Sequence, residues 1–205
     1  MTKPAADEPT TTHDWAKEHD AGHIEHIRRQ PADFAPGGAL HLVLEVLAYT
    51  ADEAAHTGSG HAVVTLHDDG SVSVTDDGRG TATRPGGQQG PVKKPVMTTK
   101  DLRFFDTPDT AALPDGHPRR GMSVVTALSA WLEHTNRRHD RAWTQRYQNG
   151  IPVTGLTPIP ADGTTGTTVR FLPDPALIAN NEVPVADLSQ LTRALGPHLN
   201  VKIIT

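Results

Sequence analysis

Residues 40–55, LHLVLEVLAYTADEAA, carry apolar side chains at helical spacing. Leu40, Val43, Leu44, Leu47, Ala48 and Ala51 form one stripe that can face a core. Glu45, Tyr49 and Asp52 recur at i, i+4 and i+7 and share another face. A carboxylate in the middle of such a helix is costly unless it is paired or lines a polar pocket. The pattern then turns to alternation. Val63–His67 and Ser71–Thr75 read as strands, and Asp69-Gly70 supplies the tight turn of a hairpin between them. The second strand runs into Asp76-Asp77-Gly78-Arg79-Gly80, where glycines let backbone approach a ligand. Ala21–Arg29 predicts a short helix with Arg28 and Arg29 in solvent. Met122–His134, with Val124, Val125, Leu128, Trp131 and Leu132 at helical spacing, predicts a buried helix. Arg137–Val153 predicts one or two strands with an Asn149-Gly150 turn, and Thr165–Leu172 another. Val185–Leu195 predicts a last helix and Asn200–Ile204 a last strand. The sum is an α+β sandwich, a helix layer on a mixed, mainly antiparallel sheet.

Two stretches have no period. Residues 1–20 are rich in Pro, Thr and acids, with Trp15, and predict a disordered tail. Residues 85–114 hold Gly, Pro, Thr, Lys93, Lys94, Lys100 and Arg103, and a loop of that length inside a domain is functional or mobile. Within it, Met97–Asp106 predicts an ordered turn or some helix, with Phe104 and Phe105 as packing anchors. The 205 residues suffice for one domain, placed at 21–205. A net charge of −5 argues against a nucleic-acid surface. There is no cysteine, hence no disulfide or thiol chemistry. No apolar run approaches membrane-spanning length and no signal peptide is read, so a cytoplasmic protein off the membrane is expected. Abundant Ala, Gly, Pro, Thr, Asp and Arg point to a GC-rich, actinobacterial genome. Twelve histidines include His13, His19, His23 and His26 close together. Without Cys or an H-E-x-x-H pattern they predict no metal site, and scattered exposed histidines are expected.

The order of these features resembles the ATP-binding domain of the DNA gyrase B subunit, a GHKL or Bergerat-fold ATPase. GHIEHIRRQPADF resembles its entry helix, LEVLAYTADEA the helix bearing E-x-x-x-N-x-x-D-E, and SVSVTDDGRG the adenine-binding strand and turn. GMSVVTALSAWLE resembles the helix after the phosphate loop, and RYQNGIPV and GTTGTTVRFLPD late strands of the sheet. The resemblance implies the Bergerat two-layer sandwich, with residues 85–114 as the ATP lid. It implies that Glu45 is the carboxylate that polarises water, that Asp76 accepts from the adenine amino group, that Gly80 lies under the base and that Thr167 supports Asp76. Gly78 and Arg79 belong to the same pocket.

The departures are as informative. Tyr49 stands where the family has its magnesium Asn, and a phenol is a poor substitute for a compact oxygen ligand. The glycine-rich phosphate loop is replaced by Asp115-Gly116-His117-Pro118-Arg119-Arg120-Gly121. Pro118 removes an amide donor and Asp115 brings a negative charge. Gly116, Arg119, Arg120 and Gly121 remain as candidate anion contacts. Thr144 matches the family's arginine at the pocket mouth. The sequence ends at Thr205, before the transducer domain whose lysine reaches the γ-phosphate.

Three functions follow from these expectations. The first is a degenerate, non-hydrolysing domain that binds ATP or ADP without magnesium, or a small molecule, and acts as a regulator or interaction partner of gyrase or another protein. The second is an enzyme recruited to a non-nucleotide small molecule, such as one of secondary metabolism, with Glu45, Asp76, Tyr49 and His117 as acid/base groups. An active ATPase ranks last. A monomer or weak homodimer is expected.

Overall fold

The computed structural model describes residues 12–13, 19–84, 92–105, 110–139 and 141–205. Trp15 and, within 85–114, residues 85–91 and 106–109 lie outside these.

Helices α1 (Ala21–Arg29) and α2 (Pro31–Phe34) lead into α3 (Gly38–Thr57), the long central helix. Asp20 caps α1 by accepting from the His23 amide at 3.0 Å. Strands β1 (Gly60–Leu66) and β2 (Val72–Asp76) form the expected hairpin, closed by hydrogen bonds from the His67 amide to the Ser71 carbonyl and from the Gly70 amide to the His67 carbonyl. The short strands β3 (Thr83–Arg84) and β4 (Val92–Lys93) pair with each other. After α4 (Met122–Ala127) come β5 (Ser129–Arg138), β6 (Arg141–Gln148), β7 (Ile151–Pro152), β8 (Thr157–Pro158) and β9 (Gly166–Pro173). Helix α5 (Val185–Thr192), a 3-10 turn and β10 (Leu199–Ile204) complete the chain. The main sheet runs β10-β1-β2-β9-β5-β6-β7, with β8 on β6. Only β10 and β1 pair in parallel among its described ladders. The α+β sandwich is therefore as expected.

Two expectations of local structure are corrected. Helix α4 stops at Ala127, and the rest of the stretch expected to be helical is strand β5. Leu132, His134 and Asn136 alternate inward, fully buried, and β5 gains ladders to both β6 and β9. Two of those three inward residues are polar, which hides the period of two from a hydrophobicity pattern. Arg28 is not simply solvated: it donates to the Ala127 carbonyl at 2.6 Å and to Asp174 at 3.2 Å, holding the C-terminal end of α4.

The histidines also differ from expectation, since His13, His23, His41 and His134 are all buried. His23 bonds to Ser123 at 2.9 Å, joining α1 to α4, and His26 packs edge-on against Phe34. Thr12 and His13, in the stretch expected to be loose, pack on the turns of residues 97–105. The Thr12 carbonyl accepts from the Leu102 amide, and His13 sits 4.0 Å from Asp101. Burial holds the His13 imidazole down at about 4 against the pull of Asp101. Phe104 and Phe105 are buried, and 97–105 forms turns without a helix.

The sheet register fixes what each face offers. On the outer face Thr75, Thr168, Thr135 and Thr144 form one row. On the inner face Val74, Val169, His134 and Gln145 form the next, and Val72, Phe171, Leu132 and Tyr147 another. Helices α3 and α4 cover most of this inner face, and the gap they leave is the candidate site.

Candidate ligand site

A cavity of about 370 Å³ opens between α3, the inner face of β2, β9 and β5, and the 94–103 segment. That volume lies within the usual range for small-molecule sites. Val46, Val96, Met97, Met122 and Val169 supply its apolar walls.

Asp76 ends β2 at one side of the cavity. Its carboxylate accepts from the Gly78 amide at 2.9 Å, the Thr167 amide at 3.2 Å and the Thr167 hydroxyl. Burial raises its pKa, opposed by those donors and helped by Asp77. A carboxylate offers about four lone-pair sites, so one more donor can be accepted from the cavity. Gly80 follows at φ +75°, where an added Cβ would sit 2.5 Å from the Arg137 carbonyl oxygen. Its lack of side chain lets the turn press against β5, tied there by the Thr81 amide to Asn136 at 2.6 Å. Arg79 is held by Glu53 of α3, Nη2 to Oε2 at 2.9 Å.

The arginine at the mouth is a correction. Thr144 belongs to the outer row and bonds Thr135 at 3.4 Å, whereas Arg138 donates to the Gly80 carbonyl at 3.0 Å. The β5–β6 register turns Thr144 to the outer face, away from the cavity.

On the opposite side the site is packed with protein charge. Tyr49 donates to Asp101 at 2.6 Å. Burial, then the adjacent Asp101, push the phenol well above its ordinary pKa, so it stays neutral. Arg103 grips the same Asp101 through Nε at 3.0 Å and Nη2 at 2.7 Å. Burial works to raise Asp101, but the hydrogen bonds from Arg103 and Tyr49 prevail and hold it low. Arg119 makes a two-pronged pair with Asp52, at 3.1 and 2.8 Å, and its guanidinium stacks on Tyr49 and Phe104 at 4.7 and 4.3 Å. Asp101 carries no periodic or motif signal in the sequence, which is why it escaped notice there.

Six amides of the 111–121 loop are taken up by protein acceptors. Those of Leu113, Gly116 and Arg119 go to the carbonyls of His117, Leu113 and Ala111, at 2.8, 2.9 and 2.8 Å. The His117 amide goes to Asp115 at 3.1 Å. The amides of Arg120 and Gly121 both go to Glu45, the latter at 2.8 Å.

Glu45 therefore does not face the cavity, contrary to expectation. It has 0% exposure, lies behind the loop, and has His41 Nε2 3.6 Å away. His41 in turn bonds Asp115 at 2.7 Å. Burial raises the pKa of Glu45, opposed by His41 and by the amides of Arg120 and Gly121. His41 was missed in the sequence, although it sits one turn before Glu45 on the same helix face.

Of the residues expected to form a site, Tyr49, Asp76, Arg79, Gly80 and Thr167 line the cavity. Glu45, Gly78, Gly116, His117, Arg119, Arg120 and Gly121 do not line it. His134, Thr81 and Lys94 line it and were not singled out. Of the acid/base candidates, Tyr49 is committed to Asp101, and the His117 ring lies 5.9 Å from that of His41, whose Nε2 is 3.6 Å from Glu45.

No family model matches the chain. It is 35% identical over 164 residues to the DNA gyrase B subunit of Thermotoga maritima, covering 78% of this chain and 26% of that protein. It is 31% identical over 175 residues to the DNA topoisomerase 4 B subunit of Bacillus subtilis, covering 83% and 27%. It is 34% identical over 163 residues to the gyrase B subunit of Mycobacterium tuberculosis, covering 78% and 24%. The chain thus spans about a quarter of the length of these curated relatives. Its fold is similar to the topoisomerase IV ATP-binding domain of Francisella tularensis, solved with a small-molecule inhibitor. That match has a TM-score of 0.68 and 24% identity, covering 88% of this chain and 50% of the other.

Proposed function

We propose that this chain, a homologue of the gyrase B and topoisomerase IV B subunits with the GHKL fold, is a ligand-binding regulatory module that does not hydrolyse ATP. The observation that carries the reading is the fate of the loop amides. A triphosphate cradle needs bare N–H groups. Those of Leu113, Gly116, His117, Arg119, Arg120 and Gly121 already have protein acceptors.

The metal side of the family's chemistry fits no better. Magnesium takes compact oxygen ligands in octahedral order. Here the helix offers a neutral phenol bonded to Asp101, and both Asp52 and Asp101 are engaged by arginines. Glu45 accepts from two loop amides, is fully buried and does not line the cavity.

The Asp76 end, by contrast, supports binding. Asp76 with Thr167 presents a supported acceptor beside an apolar floor, suited to a planar heterocycle that donates a hydrogen bond. Adenine is such a group, and so is a small molecule of that shape. The module would act by changing a protein partner, a gyrase subunit being the first to test.

Adenosine, which carries no phosphate, is the probe for the base end. Calorimetric titration is expected to show binding to the wild type and a loss of about tenfold or more in Asp76→Asn, for one hydrogen bond to a charged acceptor. Equal affinity in the two proteins would remove Asp76 from the site.

A further inference from the structure

Lys93 ends β4 and lies half-buried over the inner face of β6, beyond the edge of the helix layer. Its Nζ donates to the Tyr147 hydroxyl, which itself donates to Gln145 at 2.7 Å. The amine sits 5.0 Å from the Tyr147 ring centroid and 5.8 Å from that of Trp143. Among the described residues no carboxylate offsets its charge, and burial alone lowers its pKa to about 7. A large share of the amine is then neutral near pH 7, with a lone pair able to act as a nucleophile.

Among the described residues two further groups near this amine have no hydrogen-bond partner: Trp143 Nε1 and His134 Nδ1. Trp143 and His134 are 3% and 1% exposed, and their rings meet edge to face at 5.0 Å. An indole N–H can only donate. Burial, with the Lys93 charge next, holds His134 neutral, and Nδ1 is a donor in the tautomer whose Nε2 accepts from the Thr81 hydroxyl 3.4 Å away. An orphaned buried donor costs about 1–3 kcal/mol. Their position beside the amine points to a small group rich in acceptor oxygens, attached to or seated on Lys93.

We propose that Lys93 is a carbon dioxide acceptor and forms a carbamate, whose oxygens take hydrogen bonds from Trp143 Nε1 and His134 Nδ1. The Nζ lone pair attacks the carbon of CO2 and the N–C bond forms. One C=O π pair becomes a lone pair on a carboxylate oxygen, and the nitrogen releases one proton to solvent. Nothing is oxidised or reduced, and CO2 is the sole co-reactant. The product places a negative charge between the β3–β4 hairpin and β6, next to His134 on the cavity wall.

The test is 13C NMR of the full chain equilibrated with 13C-bicarbonate at mildly alkaline pH. One carbamate resonance that saturates with bicarbonate is expected. Trapping with a trialkyloxonium salt and peptide mapping on the wild type should place it on Lys93, whether or not a variant folds. Lys93→Arg should lose it, and Trp143→Phe should weaken the bicarbonate dependence by about tenfold, for one hydrogen bond to a charged acceptor. The assignment is overturned by no resonance at saturating bicarbonate, by one that persists in Lys93→Arg or maps to the α-amine, or by indifference to Trp143→Phe.

Discussion

A Glu45→Ala variant is expected to be less stable than the wild type by about 3–5 kcal/mol, the combined cost of leaving two buried amides without their acceptor. The amides of Arg120 and Gly121 would lose their acceptor inside the protein, and His41 would lose the carboxylate 3.6 Å from its Nε2. Each orphaned amide alone costs about 1–3 kcal/mol. Urea unfolding followed by circular dichroism reads this as a lower midpoint at unchanged slope. The prediction separates two roles for the same residue. A carboxylate poised for catalysis at an open pocket is poorly satisfied, and replacing it leaves stability unchanged or improved. A wild-type midpoint for Glu45→Ala would therefore show that the loop does not depend on Glu45.

Gly166→Ala should be comparably severe, for a different reason. Gly166 has φ +125°, and an added Cβ would lie 1.9 Å from the Asp76 carbonyl oxygen and 2.8 Å from its carbon. Those atoms are backbone and cannot rotate aside, so β2 and β9 would have to part at that end. Overpacking costs about 1–3 kcal/mol and the strained φ about 1–3 more. Because Asp76 and Thr167 meet at this point, the variant should lose adenosine binding as well as stability. A variant that melts with the wild type would mean that the two strand ends are farther apart than described.

Much of the fold was legible because its elements have clean periods. The α3 stripe, the β1–β2 hairpin with its Asp69-Gly70 turn, and the Asn149-Gly150 turn all follow from local chemistry that tertiary structure does not override. Strand β5 was misread because His134 and Asn136 are inward-facing polar residues, bonded to Thr81, so the apolar pattern broke where the site begins. The candidate site divides the same way. Asp76, Gly80 and Thr167 come together as read, since a turn motif and a strand pairing place them. The departures at Tyr49 and in the 115–121 loop were visible as chemistry that does not suit phosphate. The protein partners that these groups take were not visible. Asp101 arrives from an aperiodic loop 52 residues from Tyr49, and Glu45 turns to amides 75 and 76 residues away. Only three-dimensional packing decides which acceptor those groups find.

The central claim is that the base end of the site survives while its phosphate and metal ends are filled by protein. Calorimetric titration of ATP, with and without magnesium, set beside ADP and adenosine, tests it most directly. The account predicts that the three ligands bind with similar affinity, that magnesium changes none of them, and that no phosphate is released. Tight ATP binding that requires magnesium, with adenosine much weaker, would contradict it.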